Sequence, residues 1–249
     1  MDRTIKDLKI GTRLQFGRYT CSQDPMDTGS PIIWLKATPN CDFISEHALD
    51  HLCFDTGEDG SANRGHIWYG NNSYGLSNIL QYLNSDEAAW FHKMHEHDKA
   101  PSYRNHPGFL YNFEEFEIEA LVNGMRLPAP EDIYGASRFP LFNRKGVRPR
   151  GSDDFLMYHR HEYSDTAYVE FWTSEQVDNS TRVYIVNREG YEGSCEPANR
   201  SGLRPVCRIR GCLTVDITAA GIYTLRPFEI AETEEIYSDD DLFSFLGLR

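Results

Sequence analysis

Phe171-Trp172-Thr173-Ser174, Arg182-Val183-Tyr184-Ile185-Val186 and Gly202-Leu203-Arg204-Pro205-Val206 follow one another within residues 168–206. The first two runs are rich in β-branched and aromatic residues, which suit a pleated, half-buried surface. The segments between the three, 175–181 and 187–201, are mostly polar and read as loops. The third run opens on Gly-x-Arg-Pro and reads as the start of another strand. The block therefore predicts strand, loop, strand, loop, strand, with Trp172 in the core.

Outward from that block, residues 204–210 and 213–217 are strand-like, with Gly211-Cys212 as a turn or bulge between them. Residues 5–17 and the apolar run Ile32-Ile33-Trp34-Leu35-Lys36-Ala37 predict two early strands. Residues 43–54 start as a strand and end in a helical turn. An apolar stripe of Ile79, Leu80 and Leu83 predicts a helix from about Leu76, with Ser73 as its cap. Further helices are expected over 85–95, over 112–123 with Gly124 as the stop, and for one turn at 130–135. Phe155-Leu156-Met157-Tyr158 reads as a strand, and 139–154 as an Arg- and Gly-rich excursion.

The composition excludes several classes. A net charge of −13 opposes binding to nucleic acid, which needs clustered Lys and Arg against phosphate. Two basic stretches, 144–150 and 204–210, are short enough to be answered by local carboxylates or by an anionic patch on a protein partner. No apolar run reaches the length of a membrane span. Met1-Asp2-Arg3-Thr4-Ile5-Lys6-Asp7 lacks the apolar stretch of an export signal, so the expectation is synthesis in the cytoplasm, with a virion as a further destination. Cys21, Cys41, Cys53, Cys195, Cys207 and Cys212 include no Cys-x-x-Cys pair and predict free, buried thiols. The 14 Tyr, 14 Phe and 4 Trp are enough for an aromatic core with some left for contact surfaces.

Other elements join the opening block in a consistent order. Gly17, then Pro31-Ile32 and Trp34, form a Gly-containing strand followed by a Pro-Ile-x-Trp strand. Ser77-Asn78-Ile79 and Leu83-Asn84-Ser85 flank a helix, and Arg126-Leu127-Pro128-Ala129-Pro130-Glu131-Asp132-Ile133-Tyr134 precedes the aromatic strand. This set resembles an uncharacterised bacterial and phage domain family related to the formylglycine-generating-enzyme group. The resemblance runs from about Ile10 to Ile217 and implies an α+β, C-type-lectin-like fold with mixed antiparallel sheets and a few helices. It implies a domain over 1–221 and leaves 222–249 as an acidic extension. There Ser238 and three aspartates precede a short docking helix whose Leu242, Phe243, Phe245 and Leu246 would meet a partner.

No motif announces a reaction. Phosphate-cradling Gly loops and the Gly-x-Ser-x-Gly elbow are absent from the sequence. His92, His95 and His97 cluster without zinc-site spacing, as do His159 and His161, so no metal ligand and no cofactor is assigned. His47 and His51 would meet only on a helix, and the glutamates at 114, 115, 117 and 119 read as a solvated helix face. In the resembled fold, loops near the late strands form contact surfaces. That nominates Asp178, Asn179, Arg182, Arg188, Tyr191, Glu192, Asn199 and Arg200 as ligand-binding residues.

The functional expectation is a non-enzymatic recognition or structural module. It would be phage- or prophage-encoded and virion-associated, contacting a surface glycan or a protein; the first alternative is a capsid- or tail-decorating structural subunit without a small ligand. A second alternative is a formylglycine-generating-type enzyme, which would need an accessible cysteine pair or a bound metal.

Overall fold

A computed structural model describes residues 2–22, 24, 26–58, 70–88, 90, 98–99, 107–142, 150–159 and 168–228. The first two runs of the opening block fold as read. Phe171–Gln176 (β8) pairs antiparallel with Val183–Val186 (β9), and Val206–Ile209 (β12) follows the Gly-x-Arg-Pro run. Residues 200–202 add a short strand, Arg200–Gly202 (β11), which lies parallel to β8 with Gly202 opposite Phe171. A Cβ on Gly202 would sit 2.4 Å from the Glu170 carbonyl oxygen, so only glycine lets these two backbones approach.

Two mixed sheets and a few short helices make an α+β architecture. The larger sheet adds Arg13–Tyr19 (β1), Ser30–Lys36 (β2), Asp42–Ser45 (β3), Leu121–Arg126 (β7), Val215–Ile217 (β13) and Tyr223–Leu225 (β14) to β12. Its spatial order is β13-β14-β1-β2-β3-β12-β7, antiparallel except where β1 runs parallel to β14. The smaller sheet adds His51–Cys53 (β4) and Glu192–Cys195 (β10), in the order β10-β9-β8-β11-β4. Gly57–Glu58 (β5) and Asp98–Lys99 (β6) form a separate two-stranded pair. The helices are Asn78–Leu83 (α1), Glu115–Glu119 (α2), Pro130–Tyr134 (α3) and Asp153–Tyr158 (α4). None among the described residues is long and apolar enough to cross a membrane.

The core is aromatic. Trp34, Trp172, Tyr82, Phe43, Phe54, Phe155 and Phe171 are fully buried, and the two tryptophans donate Nε1–H to backbone carbonyls, Trp34 to Phe16 and Trp172 to Leu52. Lys36 is buried as well; its Nζ donates to the Ile5 and Lys6 carbonyls and so pins the N-terminal turn to β2. The Arg126-Leu127-Pro128 element has a structural reason. Arg126 pairs with Asp132 at 2.5 Å, and the same carboxylate accepts from the Ala129 N–H at the start of α3. Arg208 of the second basic stretch pairs with Asp42 at 2.7 Å, as local neutralisation requires.

Several elements differ from expectation. Ser77 rather than Ser73 caps α1, because residues 74–76 form a 3₁₀ turn that sets Ser77 to accept from the Leu80 N–H. The helix expected over 112–123 is only α2, since Leu121 and Val122 pair with Ile209 and Arg208 of β12. Asn123 and Gly124, at φ 63° and 75°, form the bulge in β7 instead of a helix stop. The expected helical turn near 51–53 is β4, and the expected strand at 155–158 is α4, because the Ser152 hydroxyl accepts from the Phe155 N–H and starts a helix. Part of the loop at 187–201 is strand, as β10 and β11. Phe139 and Phe142 of the supposed excursion are buried core residues. β14 lies past residue 221 and belongs to the larger sheet, with Phe228 packing edge-on against Phe116. The region 85–95 is described only at 85–88 and 90, and residues 229–249, with Leu242, Phe243, Phe245 and Leu246, lie outside the described residues.

Candidate functional site

The eight nominated contact residues fall on three connections of the smaller sheet. Asp178, Asn179 and Arg182 are exposed on the β8–β9 turn, which Asn72 ties down by donating its Nδ2–H to the Ser180 carbonyl at 2.7 Å. Arg188 and Tyr191 occupy the β9–β10 turn, at the other end of β9, and Glu192 opens β10. Asn199 and Arg200 are exposed where the chain enters β11. Two successive hairpin turns point away from each other along their shared strand, so the eight do not form one patch.

The β9–β10 turn is the best built of the three. Asn187 N–H donates to the Tyr191 carbonyl at 2.8 Å and Gly190 N–H to the Asn187 carbonyl at 2.9 Å. The Asn187 side-chain oxygen accepts from the Glu189 and Tyr191 N–H groups, an Asx-type closure. Tyr134 of α3 donates its hydroxyl to the Gly190 carbonyl, and Arg188 pairs with Glu170 at 2.6 Å. Tyr191 itself is left 70% exposed at the tip. Such a turn presents an aromatic ring to solvent on a backbone with little freedom left to lose.

A second assembly is buried, and no local spacing in the sequence announces it. Residues 48–50 and 150–152 run side by side: Ala48 N–H donates to the Arg150 carbonyl and Ser152 N–H to the Ala48 carbonyl, both at 2.9 Å. That pairing aims α4 so that His159, at its C-cap, meets Asp50 with Nε2 3.1 Å from Oδ1. Tyr19 donates to the other oxygen of Asp50 and lies 3.0 Å from the Tyr82 hydroxyl. Burial, and then the Asp50 charge, hold the Tyr19 phenol well above its ordinary pKa, so it remains a donor. Cys21 Sγ donates to the Leu49 carbonyl at 3.1 Å, and the ligating atoms of Cys21, Asp50 and His159 all lie within 4.8 Å of one another. Phe155 and His51 pack their rings around His159. Asp50 and His159 are 109 positions apart, and only the long-range pairing of loops unites them.

Beside this cluster is a cavity of about 240 Å³ whose walls include Tyr19, Leu49, Arg13, Glu46, His47 and Asp153. Arg13 and Glu46 pair across it at 2.7 Å. His47 is not on a helix with His51, which belongs to β4. Its Nδ1 is buried with no hydrogen-bond partner, and burial lowers its pKa. Below the ordinary histidine value of about 6.5 the unfolded chain binds this proton more readily than the folded one. Stability from His47 is therefore present above that value and lost as pH falls through the lowered folded one. His47→Gln should flatten the fall in unfolding free energy between neutral and mildly acidic pH, measured by urea titration; an unchanged slope would remove His47 from that account.

Other expectations resolve as follows. Glu117 is not part of a purely solvated face; its carboxylate accepts from the Gly17 and Glu114 N–H groups, and burial raises its pKa. All six cysteines are free; Cys21, Cys41, Cys53 and Cys207 are buried, while Cys195 is half-buried and Cys212 exposed. His92, His95, His97 and His161 lie outside the described residues. No family model, curated protein or solved structure matches the chain.

Proposed function

We propose that the chain is a non-enzymatic recognition module of C-type-lectin-like architecture, virion-associated, that contacts a surface glycan or a protein through its β9–β10 turn. The observation that carries this reading is Tyr191, 70% exposed on a turn locked from both sides. A sugar ring or a protein loop stacks on such a ring without having to order the backbone beneath it, and Arg188 and Glu192 beside it supply hydrogen-bonding groups. The order of strand, turn and Gly-x-Arg-Pro run supports the architectural half of the reading. The acidic net charge of −13 suits a ligand other than nucleic acid.

The test is binding of the full chain to a panel of bacterial cell-envelope glycans and envelope proteins. Tyr191→Ala should weaken the best binder about tenfold or more, because anchoring aromatics cost more than about 1–2 kcal/mol when truncated. The fold should be unaffected, since the ring is in solvent. No binder across the panel, or a binder indifferent to Tyr191→Ala, would sink the reading.

A further inference from the structure

We propose that Cys21, Asp50 and His159 bind a divalent cation of the zinc class, inside the fold and apart from the Tyr191 turn. Thiolate, carboxylate and imidazole form a mixed donor set that suits zinc and disfavours magnesium and calcium, which take oxygen ligands. The three residues come from separate places: Cys21 follows β1, Asp50 precedes β4 and His159 ends α4. Their donor atoms nevertheless converge within 4.8 Å. Ligands on one tetrahedral zinc sit roughly 3–4 Å apart, given bonds of about 2.0–2.3 Å. Asp50 Oδ1 and His159 Nε2, 3.1 Å apart, are already near that spacing.

The surroundings are those of a ligand shell. Metal-bound carboxylates are held by outer hydrogen bonds. Asp50 receives one from the Tyr19 hydroxyl and one from the His51 N–H at 2.7 Å, and Tyr82 backs Tyr19. Phe155 closes the apolar side, its ring 4.7 Å from that of His159. His159 keeps 14% of its side chain exposed, which gives a cation a way in. Binding would displace the Cys21 thiol proton to solvent and break its hydrogen bond to Leu49; no oxidation state changes. Three protein ligands leave a fourth position for water.

The test uses the full chain, dialysed against cobalt(II) or zinc and then against metal-free buffer. One equivalent should remain, and the cobalt form should show a thiolate-to-cobalt charge-transfer band. Cys21→Ser should abolish that band, whereas a Cys195→Ser, Cys212→Ser double variant should keep it. His159→Gln, at the rim of the cluster, should weaken zinc binding by more than about a hundredfold, since outer-shell changes alone reach that range. Should Cys21→Ser fail to fold, the double variant and His159→Gln still decide. Loss of all metal on dialysis, a cobalt form without the thiolate band, or binding untouched by His159→Gln would each overturn the proposal and leave a hydrogen-bonded polar core. None of these results bears on Tyr191, so the two proposals fail separately.

Discussion

Trp172→Ala is expected to lower the unfolding free energy by about 3–5 kcal/mol, the range for truncating a buried aromatic in a packed core. Trp172 is fully buried, stands edge-on to Phe54 with ring centroids 5.6 Å apart, and lies on β8 at the centre of the smaller sheet. Truncation also leaves the Leu52 carbonyl without the indole N–H that now reaches it at 2.8 Å. A buried unsatisfied acceptor adds about 1–3 kcal/mol. Domains are stable by only about 5–15 kcal/mol, so the variant should be near or past the point of unfolding at room temperature. Trp172→Phe separates the two contributions: it keeps most of the packing and loses only the hydrogen bond, and should cost less. Denaturant titration followed by circular dichroism reads both. An alanine variant within about 1 kcal/mol of the parent would mean that β8 is not where the core is built.

The strands that carry Trp172 were legible because their residues announce themselves. Phe171, Trp172, Val183, Ile185 and Val206 are β-branched or aromatic, and in the fold they alternate or run through a buried sheet. Glu192-Gly193-Ser194-Cys195 carries no large apolar side chain, because β10 is an edge strand held by backbone pairing to β9. Arg200-Ser201-Gly202 is equally silent: its place next to β8 is set by the absence of a side chain at Gly202. Leu121 and Val122 look helical in sequence, yet pairing with β12 overrides local propensity. Phe155 and Leu156 look like a strand, yet the Ser152 cap decides for α4.

The same contrast governs the sites. The exposure of Tyr191 was legible because an aromatic in a polar, Gly-containing loop has no core to enter. Cys21, Asp50 and His159 have no common spacing, and each alone reads as an ordinary polar or thiol residue. Their meeting depends on residues 48–50 lying along 150–152, a pairing with no signature in either segment. Local spacing sets His159 beside His161, whereas the fold sets it beside Cys21 and Asp50.

Arg204, within the run that decides the fold, should respond unequally to two substitutions. The residue is 3% exposed, and its guanidinium lies 5.3 and 5.2 Å from the ring centroids of Phe142 and Phe171. Nε–H donates to the Ser45 carbonyl at 3.1 Å, while Nη1 is buried with no hydrogen-bond partner. Burial lowers the pKa to about 9, with Glu46 acting in the opposite direction, so the group stays charged at pH 7 at a desolvation cost. Removing the side chain by Arg204→Ala empties the slot between two rings and forfeits both ring contacts and the Ser45 bond. The expected loss is about 3–5 kcal/mol, as for other large deletions in cores. Arg204→Met refills the slot with an unbranched apolar chain and removes the buried charge. Relief of desolvation then offsets the lost hydrogen bond and cation–π contacts, each about 1–2 kcal/mol, and stability should stay within about 1 kcal/mol of the parent. Unfolding titrations of the two variants against the parent measure the difference. Equal losses in both would mean that the charge itself, held by the rings and Ser45, is what stabilises the junction between β11 and β12. A small loss in Met and a large one in Ala would assign the stabilisation to packing and leave the cation as a tolerated cost.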